Sequence, residues 1–143
     1  MKILITGANG MLAKAVREKF KEEELILTDV EELDITNLEQ VNQFVSDCQP
    51  DVIINCAAYT AVDKAEEDLS LAKKINAEGP KNLSLVASKN NCILVHISTD
   101  YVFGGNLPVE DGDYLEDDEK NPATVYGITK LEGEEAIRQN IEK

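Results

Sequence analysis

Lys2-Ile3-Leu4-Ile5-Thr6-Gly7-Ala8-Asn9-Gly10-Met11-Leu12 decides the fold class of this chain. The aliphatic run in Lys2–Thr6 reads as a buried strand, and a helical pattern follows over about Met11–Lys21. Gly7-x-x-Gly10 stands at the turn between them. Glycine there allows a tight turn and lets backbone N–H groups approach a diphosphate at the helix N-terminus, where the helix dipole favours negative charge. Ala13 takes the third position of the usual glycine fingerprint, where close helix–strand packing demands a small residue. A plain βα turn has the same spacing, so the rest of the chain has to separate the two readings.

Leu25–Thr28 reads as a second strand ending at Asp29, 22 residues after Gly7, where an acid can hydrogen-bond an adenosine ribose hydroxyl. A carboxylate there repels a 2′-phosphate, so NADH is expected to be accepted. Asp34-Ile35 stands where the chain leaving that strand can reach an adenine; an Asx turn before the next helix fits the same spacing. Asn37–Cys48 carries Leu38, Val41, Phe44 and Val45 at helical spacing and is closed by Pro50. Val52–Cys56 is a third strand. From Asp63 to about Ser88 the pattern is helical, with Asp63 and Glu66 spaced as a capping box and Gly79-Pro80 expected to kink or divide the helix. Cys92–Ile97 is a fourth strand, and a last helix starts near Ala123. Strands and helices alternating in this way imply βαβ units with right-handed crossovers, hence an α/β, Rossmann-like, doubly wound parallel sheet.

Composition narrows the partners. The 143 residues suit one domain, and 43% apolar with 29% charged residues is enough for a packed core. No apolar run approaches the roughly 20 residues of a membrane helix, and the N-terminal one is too short for a signal peptide. No membrane partner is therefore expected, and the odd, scattered set Cys48, Cys56 and Cys92 reads as a reduced, cytoplasmic setting. Lys+Arg 14 against Asp+Glu 28 gives a net charge of -14, which disfavours nucleic acid or an anionic lipid surface. It does not exclude a dinucleotide, because backbone amides and a helix dipole can hold phosphates without clustered cations. Cys48, Cys56, Cys92 and the single His96 form neither a disulfide framework nor a metal site; His96, Cys56 and Cys92 read as core residues. The acidic stretch Glu110–Glu119 reads as a solvated loop.

Tyr126-Gly127-Ile128-Thr129-Lys130 places a tyrosine and a lysine at i and i+4, on one face of the last helix. A free phenol titrates near pH ~10, and a neighbouring cation stabilises phenolate, which opens proton exchange with a carbonyl or alcohol oxygen near neutrality. The lysine can also hydrogen-bond a nicotinamide ribose. Such pairs also arise as a half-buried tyrosine beside a surface lysine; downstream of a dinucleotide fingerprint the catalytic reading gains. Ser98-Thr99-Asp100 follows the fourth strand, at the end of the sheet that borders the ligand crevice. A hydroxyl there can orient a carbonyl for hydride attack, or simply make a Ser/Thr turn.

Together these residues resemble the extended short-chain dehydrogenase/reductase superfamily and, within it, the dTDP-4-dehydrorhamnose reductases. The resemblance runs from Ile5-Thr6-Gly7 to Gly133-Glu134, and its most specific blocks are Asn55–Glu66 (NCAAYTAVDKAE) and Ser98–Gly105 (STDYVFGG). It implies reduction of the 4-keto group of a dTDP-6-deoxy-hexulose by NADPH or NADH, with Thr99, Tyr126 and Lys130 as the catalytic set. It implies cofactor contacts from Gly7, Gly10, Met11, Leu12, Asp29, Asp34, Ile35, Ala58, Tyr59 and Thr60, and a substrate-bordering role for Asp100. Ala13 replaces a glycine common in the family, and Gly104 stands where aspartate is frequent. The family continues for about as many residues again, with further strands and a sugar-nucleotide lobe. The expectation is thus a dinucleotide half of a two-lobed reductase, weakly binding and without turnover by itself, with homodimer contacts possible in the complete protein. Dehydratases of the superfamily tend to carry Asp-Glu after the threonine; Tyr101 after Asp100 argues against elimination. The remaining alternatives are a dinucleotide-binding regulatory subunit resembling the methionine adenosyltransferase beta subunit, and another sugar-nucleotide reductase or epimerase.

Overall fold

A computed structural model describes residues 1–104 and 113–141. The elements run β1 (Lys2–Thr6), α1 (Met11–Lys19), β2 (Glu24–Thr28), α2 (Leu38–Cys48), β3 (Val52–Asn55), α3 (Val62–Glu67), α4 (Leu69–Lys73), a π-helical turn (Lys74–Glu78), α5 (Gly79–Lys89), β4 (Ile93–His96), a 3-10 turn (Asp100–Phe103) and α6 (Val125–Asn140). The four strands form one parallel sheet in the order β2-β1-β3-β4. The expected α/β, doubly wound parallel sheet is the architecture observed.

Side chains alternate across each strand, and this splits the core into two layers. Ile3 and Ile5 of β1 and Val52 and Ile54 of β3 point to one face, where Ala13 of α1 packs with Val16 and Phe20. Leu4 and Ile53 point to the other, among Val41 and Val45 of α2 and Leu83, Val86 and Ala87 of α5. A strand covered on both faces reads as an unbroken apolar run, which is why KILIT and VIIN carry no polar alternation. β4 has a strand neighbour on one side among the described residues, and its Ile93 and Val95 are exposed.

Two expectations about the long helical stretch are corrected. The chain breaks first at Asp68, whose φ of -131° leaves the helical region and whose carboxylate caps α4 by accepting from the Leu71 N–H. A second irregularity, the π-helical turn, ends at Glu78 and α5 begins at Gly79, so the stretch is divided at Gly79-Pro80, as expected. Asp63 and Glu66 do not form a capping box: the N-cap of α3 is Ala61, which has no side chain able to cap. The Glu66 carboxylate instead accepts from the Val125 N–H at the start of α6, 2.8 Å away.

The described part of the acidic segment, Asp113–Glu119, is mostly exposed. Glu110–Gly112 lie outside the described residues, as does Gly105. No helix of the described residues is long and apolar enough to cross a membrane.

Candidate functional site

β1 hands its chain to β2 on one side, while the next crossover returns to β3 on the other. Such a reversal leaves a crevice at the carboxyl ends of the two central strands. A cleft of about 490 Å³ opens there. Its floor is the glycine turn, with Gly7, Gly10, Met11 and Leu12 in its lining. Gly7 has φ +64°, and a Cβ on it would stand 2.7 Å from the N and Cα of Ala57. Only glycine fits that conformation and that approach. Gly10 is the N-cap of α1 and no side chain caps the helix. Met11 and Leu12, which bear amides without intrahelical acceptors, therefore reach the cleft with those donors unspent.

Asp29, Asp34 and Ile35 line the cleft on the β2 side. The Asp29 carboxylate accepts from the Asn9 N–H at 3.1 Å and the Val30 N–H at 2.9 Å, tying the end of β2 to the glycine turn. Asp34 closes an Asx turn, its Oδ1 accepting from the Thr36 N–H at 2.9 Å and hydroxyl at 2.7 Å, and Ile35 is buried in the core. Turn and cleft wall are thus the same residues. On the β3 side Cys56, Ala58 and Thr60 line the cleft, and Tyr59 does not. Cys56 packs against the α1 layer and lines the cleft as well, while Cys92 is buried in the core.

Asn76 was not legible in the sequence as a site residue. It is fully buried in the π-helical turn; its Oδ1 accepts from the Tyr59 N–H at 2.8 Å and its Nδ2 donates to the Tyr59 carbonyl and to Thr129 Oγ1. One side chain thus fixes the exit of β3 against α6. A π turn inside helical sequence is a frequent mark of a functional position, but apolar periodicity does not register it.

α6 presents Tyr126 and Lys130 to the cleft. Its start is held by Thr124, which accepts from the Gly127 N–H at 3.0 Å, and by Glu66. The Tyr126 ring meets Tyr101 edge-on, with centroids 5.4 Å apart. Lys130 is only 2% exposed, and its Nζ donates to the Ile97 carbonyl at 2.5 Å. Burial pushes its pKa down to about 8, with Glu134 acting in the opposite direction. His96 is not simply a core residue: its ring lies between Asn55 and Lys130, and burial, followed by the Lys130 charge, pushes its pKa down to about 3.

Thr99 and Asp100 are not in the cleft lining, though Ile97 and Ser98 just before them are. The Thr99 hydroxyl caps the 3-10 turn, accepting from the Tyr101 N–H at 3.3 Å and donating to Asp100 Oδ1 at 3.2 Å. That turn ends at Gly104, whose φ of +81° lies in the left-handed region that favours glycine.

Residues 1–143 match the family described as the RmlD substrate binding domain. The chain belongs to the RmlD family. Its relatives include the dTDP-4-dehydrorhamnose reductases of Mycolicibacterium smegmatis, 43% identical over 95% of this chain and 41% of that protein, and of Aggregatibacter actinomycetemcomitans, 40% identical over 95% and 46%. Among solved structures, the Clostridium acetobutylicum dTDP-4-dehydrorhamnose reductase superposes with a TM-score of 0.93 at 51% identity, over 98% of this chain and 50% of that one. The Bacillus anthracis dTDP-4-dehydrorhamnose reductase, solved in complex with NADP, has a TM-score of 0.93 at 41% identity over 99% and 50%. The chain spans about half the length of these relatives. The bovine methionine adenosyltransferase 2 subunit beta is 34% identical over 97% of this chain.

Proposed function

We propose that residues 1–143 are the dinucleotide-binding part of a reductase that, as a complete protein, converts the 4-keto group of dTDP-4-dehydro-6-deoxy-L-mannose to the alcohol of dTDP-L-rhamnose. One observation carries this reading: a single cleft is lined by the Gly7–Gly10 turn with its uncapped helix, by Asp29, and by Tyr126 with Lys130. The similarity to reductases, one of them solved with NADP, supports the same activity.

The cradle fits a dinucleotide, because the Gly7 turn packs directly on the backbone of Ala57 and the amides at Met11 and Leu12 have no side-chain cap to compete with a diphosphate. Asp29 would take the adenosine ribose, with Asp34, Ile35, Ala58, Tyr59 and Thr60 completing the wall and Lys130 at the nicotinamide ribose. NADPH or NADH, when bound, supplies the hydride. Tyr126 donates the proton to the sugar C4 oxygen as the carbonyl becomes an alcohol. Thr99 and Asp100, on the 3-10 turn packed against α6, would border the sugar, with Thr99 orienting the carbonyl. The remaining sugar-nucleotide contacts, and any homodimer contacts, belong to further chain, which would also cover the exposed face of β4. The setting of such a biosynthetic enzyme is the cytoplasm.

The complete protein is expected to oxidise NADPH or NADH only when the dTDP-4-keto sugar is present. A second reading, a dinucleotide-binding regulatory subunit, draws on the similarity to the methionine adenosyltransferase beta subunit. Dinucleotide binding without any sugar-dependent oxidation selects it instead.

A further inference from the structure

The cleft has two unlike ends. In the sheet order β2-β1-β3-β4, the glycine turn after β1 separates the β2 end from the β4 end, where Lys130 meets the Ile97 carbonyl. A diphosphate on that turn would send one nucleoside each way. The one facing Tyr126 and Lys130 is the reacting nicotinamide, so the adenine falls on the β2 side, against Leu33, Ile35 and Ile75. An apolar wall of this kind suits the face of a purine.

Ile35 is held from behind by α5. Gly79 opens that helix at a helical φ of -57°, where alanine is the better helix former. Backbone conformation therefore gives no reason for glycine at this position, but space does. A Cβ on Gly79 would stand 2.6 Å from Ile35 Cδ1 and 2.8 Å from Cγ1. Asn82, one turn further along, donates from Nδ2 to the Ile35 carbonyl at 3.0 Å. On the α2 side the Asp34 N–H donates to Gln40 Oε1 at 3.1 Å, so the loop is pinned from both helices. Ile35 is otherwise part of the packed core with Leu33, Val41 and Leu83, and the cleft is its open side. Pushed off α5, its side chain moves into the room a purine needs.

We propose that Gly79 and Asn82 are positioning residues for the adenine end of the cleft: the absent side chain of Gly79 seats Ile35, and the Asn82 amide fixes the Ile35 carbonyl. This rests on the dinucleotide reading and adds to it two residues that do not themselves line the cleft.

The probe is ADP-ribose, which carries the adenine end without nicotinamide, titrated into the complete protein by calorimetry. Gly79→Ala should weaken its binding about tenfold or more, the loss expected of overpacking. In an Ile35→Ala background only the Ile35 Cβ remains, 3.6 Å from the new methyl, and Gly79→Ala should cost no further affinity. Asn82→Ala introduces no overlap and should weaken ADP-ribose about threefold or more; it and the Ile35→Ala pair carry the test if Gly79→Ala alone does not fold. In steady-state kinetics both single variants should raise the dinucleotide KM by these factors and leave kcat near its wild-type value, because Tyr126 and Lys130 stand at the other end. Wild-type affinity in both variants, a Gly79→Ala loss that persists beside Ile35→Ala, or a fall in kcat with KM unmoved overturns the positioning role. A wild type that binds no ADP-ribose overturns the dinucleotide reading and this role with it. A complete protein that binds ADP-ribose but reduces no keto sugar defeats the reductase and leaves Gly79 and Asn82 in place.

Discussion

Gly7→Ala should destabilise the chain far more than Gly10→Ala, although both glycines line the same cleft. At Gly7 the backbone sits at φ +64°, which costs an L-residue with a Cβ roughly 1–2 kcal/mol. The new methyl would also stand 2.7 Å from the N and Cα of Ala57 and 2.9 Å from the carbonyl carbon of Cys56. These are backbone atoms held by the pairing of β3, so they cannot swing aside as a flexible side chain would, and overpacking of this kind costs typically 1–3 kcal/mol. Against this, alanine narrows the unfolded ensemble and returns about 0.4–1 kcal/mol. The net loss is about 1–5 kcal/mol. With an unfolding entropy of about 2.1 cal/mol/K per residue, a loss of 3 kcal/mol lowers Tm by about 10 °C for a chain of 143 residues. At Gly10 a Cβ meets only the Gly7 carbonyl oxygen, at 3.2 Å, and φ is -68°, so that variant should lose less than about 1 kcal/mol. Urea unfolding followed by circular dichroism measures both. Equal losses, or a Gly7→Ala chain as stable as the wild type, would refute the turn geometry on which the dinucleotide reading depends.

Tyr126→Phe in the complete protein should abolish most turnover, by about 100-fold or more, and leave dinucleotide affinity nearly unchanged; steady-state kinetics with a parallel binding titration checks it, and retained turnover removes Tyr126 from its role. Glu66→Ala should lower stability by about 1 kcal/mol, since it strips the Val125 N–H of a charged acceptor at the start of α6; thermal unfolding of Glu66→Ala beside Asp63→Ala should show the smaller effect in the latter, the reverse of what a capping box would give. Acid stability should depend on His96. Its folded pKa is about 3 against an ordinary 6.5, so the unfolded chain binds the extra proton between those values and stability falls as pH drops through that window. The His96 contribution is about 1.4 kcal/mol per pH unit at most, and urea titrations at pH 6.5 and 5 should show His96→Gln losing less than the wild type.

The sheet was readable in the sequence because its strands are buried on both faces and stand out as short aliphatic runs between amphipathic helices. The same physics blurred the stretch from Val62 to Lys89. Its apolar residues keep helical spacing through both Asp68 and the π turn, and periodicity cannot see a break that preserves the buried face. The capping-box spacing of Asp63 and Glu66 misled because a local pattern cannot reveal a carboxylate engaged by Val125, far along the chain. Gly7, Gly10, Asp29, Tyr126 and Lys130 were found from their spacing, which follows from local geometry at one turn, one strand end and one helix face. Asn55, Asn76 and His96 act through contacts between distant elements. A lone polar residue in an apolar run gives no sign of which partner the fold will bring to it.

The most direct measurement is isotope transfer. The complete protein is supplied with nicotinamide dinucleotide deuterated at both C4 positions and with the dTDP-4-keto-6-deoxy sugar, and the product is read by NMR and mass spectrometry. Hydride delivery across the Gly7–Lys130 cleft predicts one deuterium at sugar C4, with the hydroxyl proton drawn from solvent through Tyr126. Recovery of the unreduced ketone, or of an alcohol without deuterium at C4, would contradict the account.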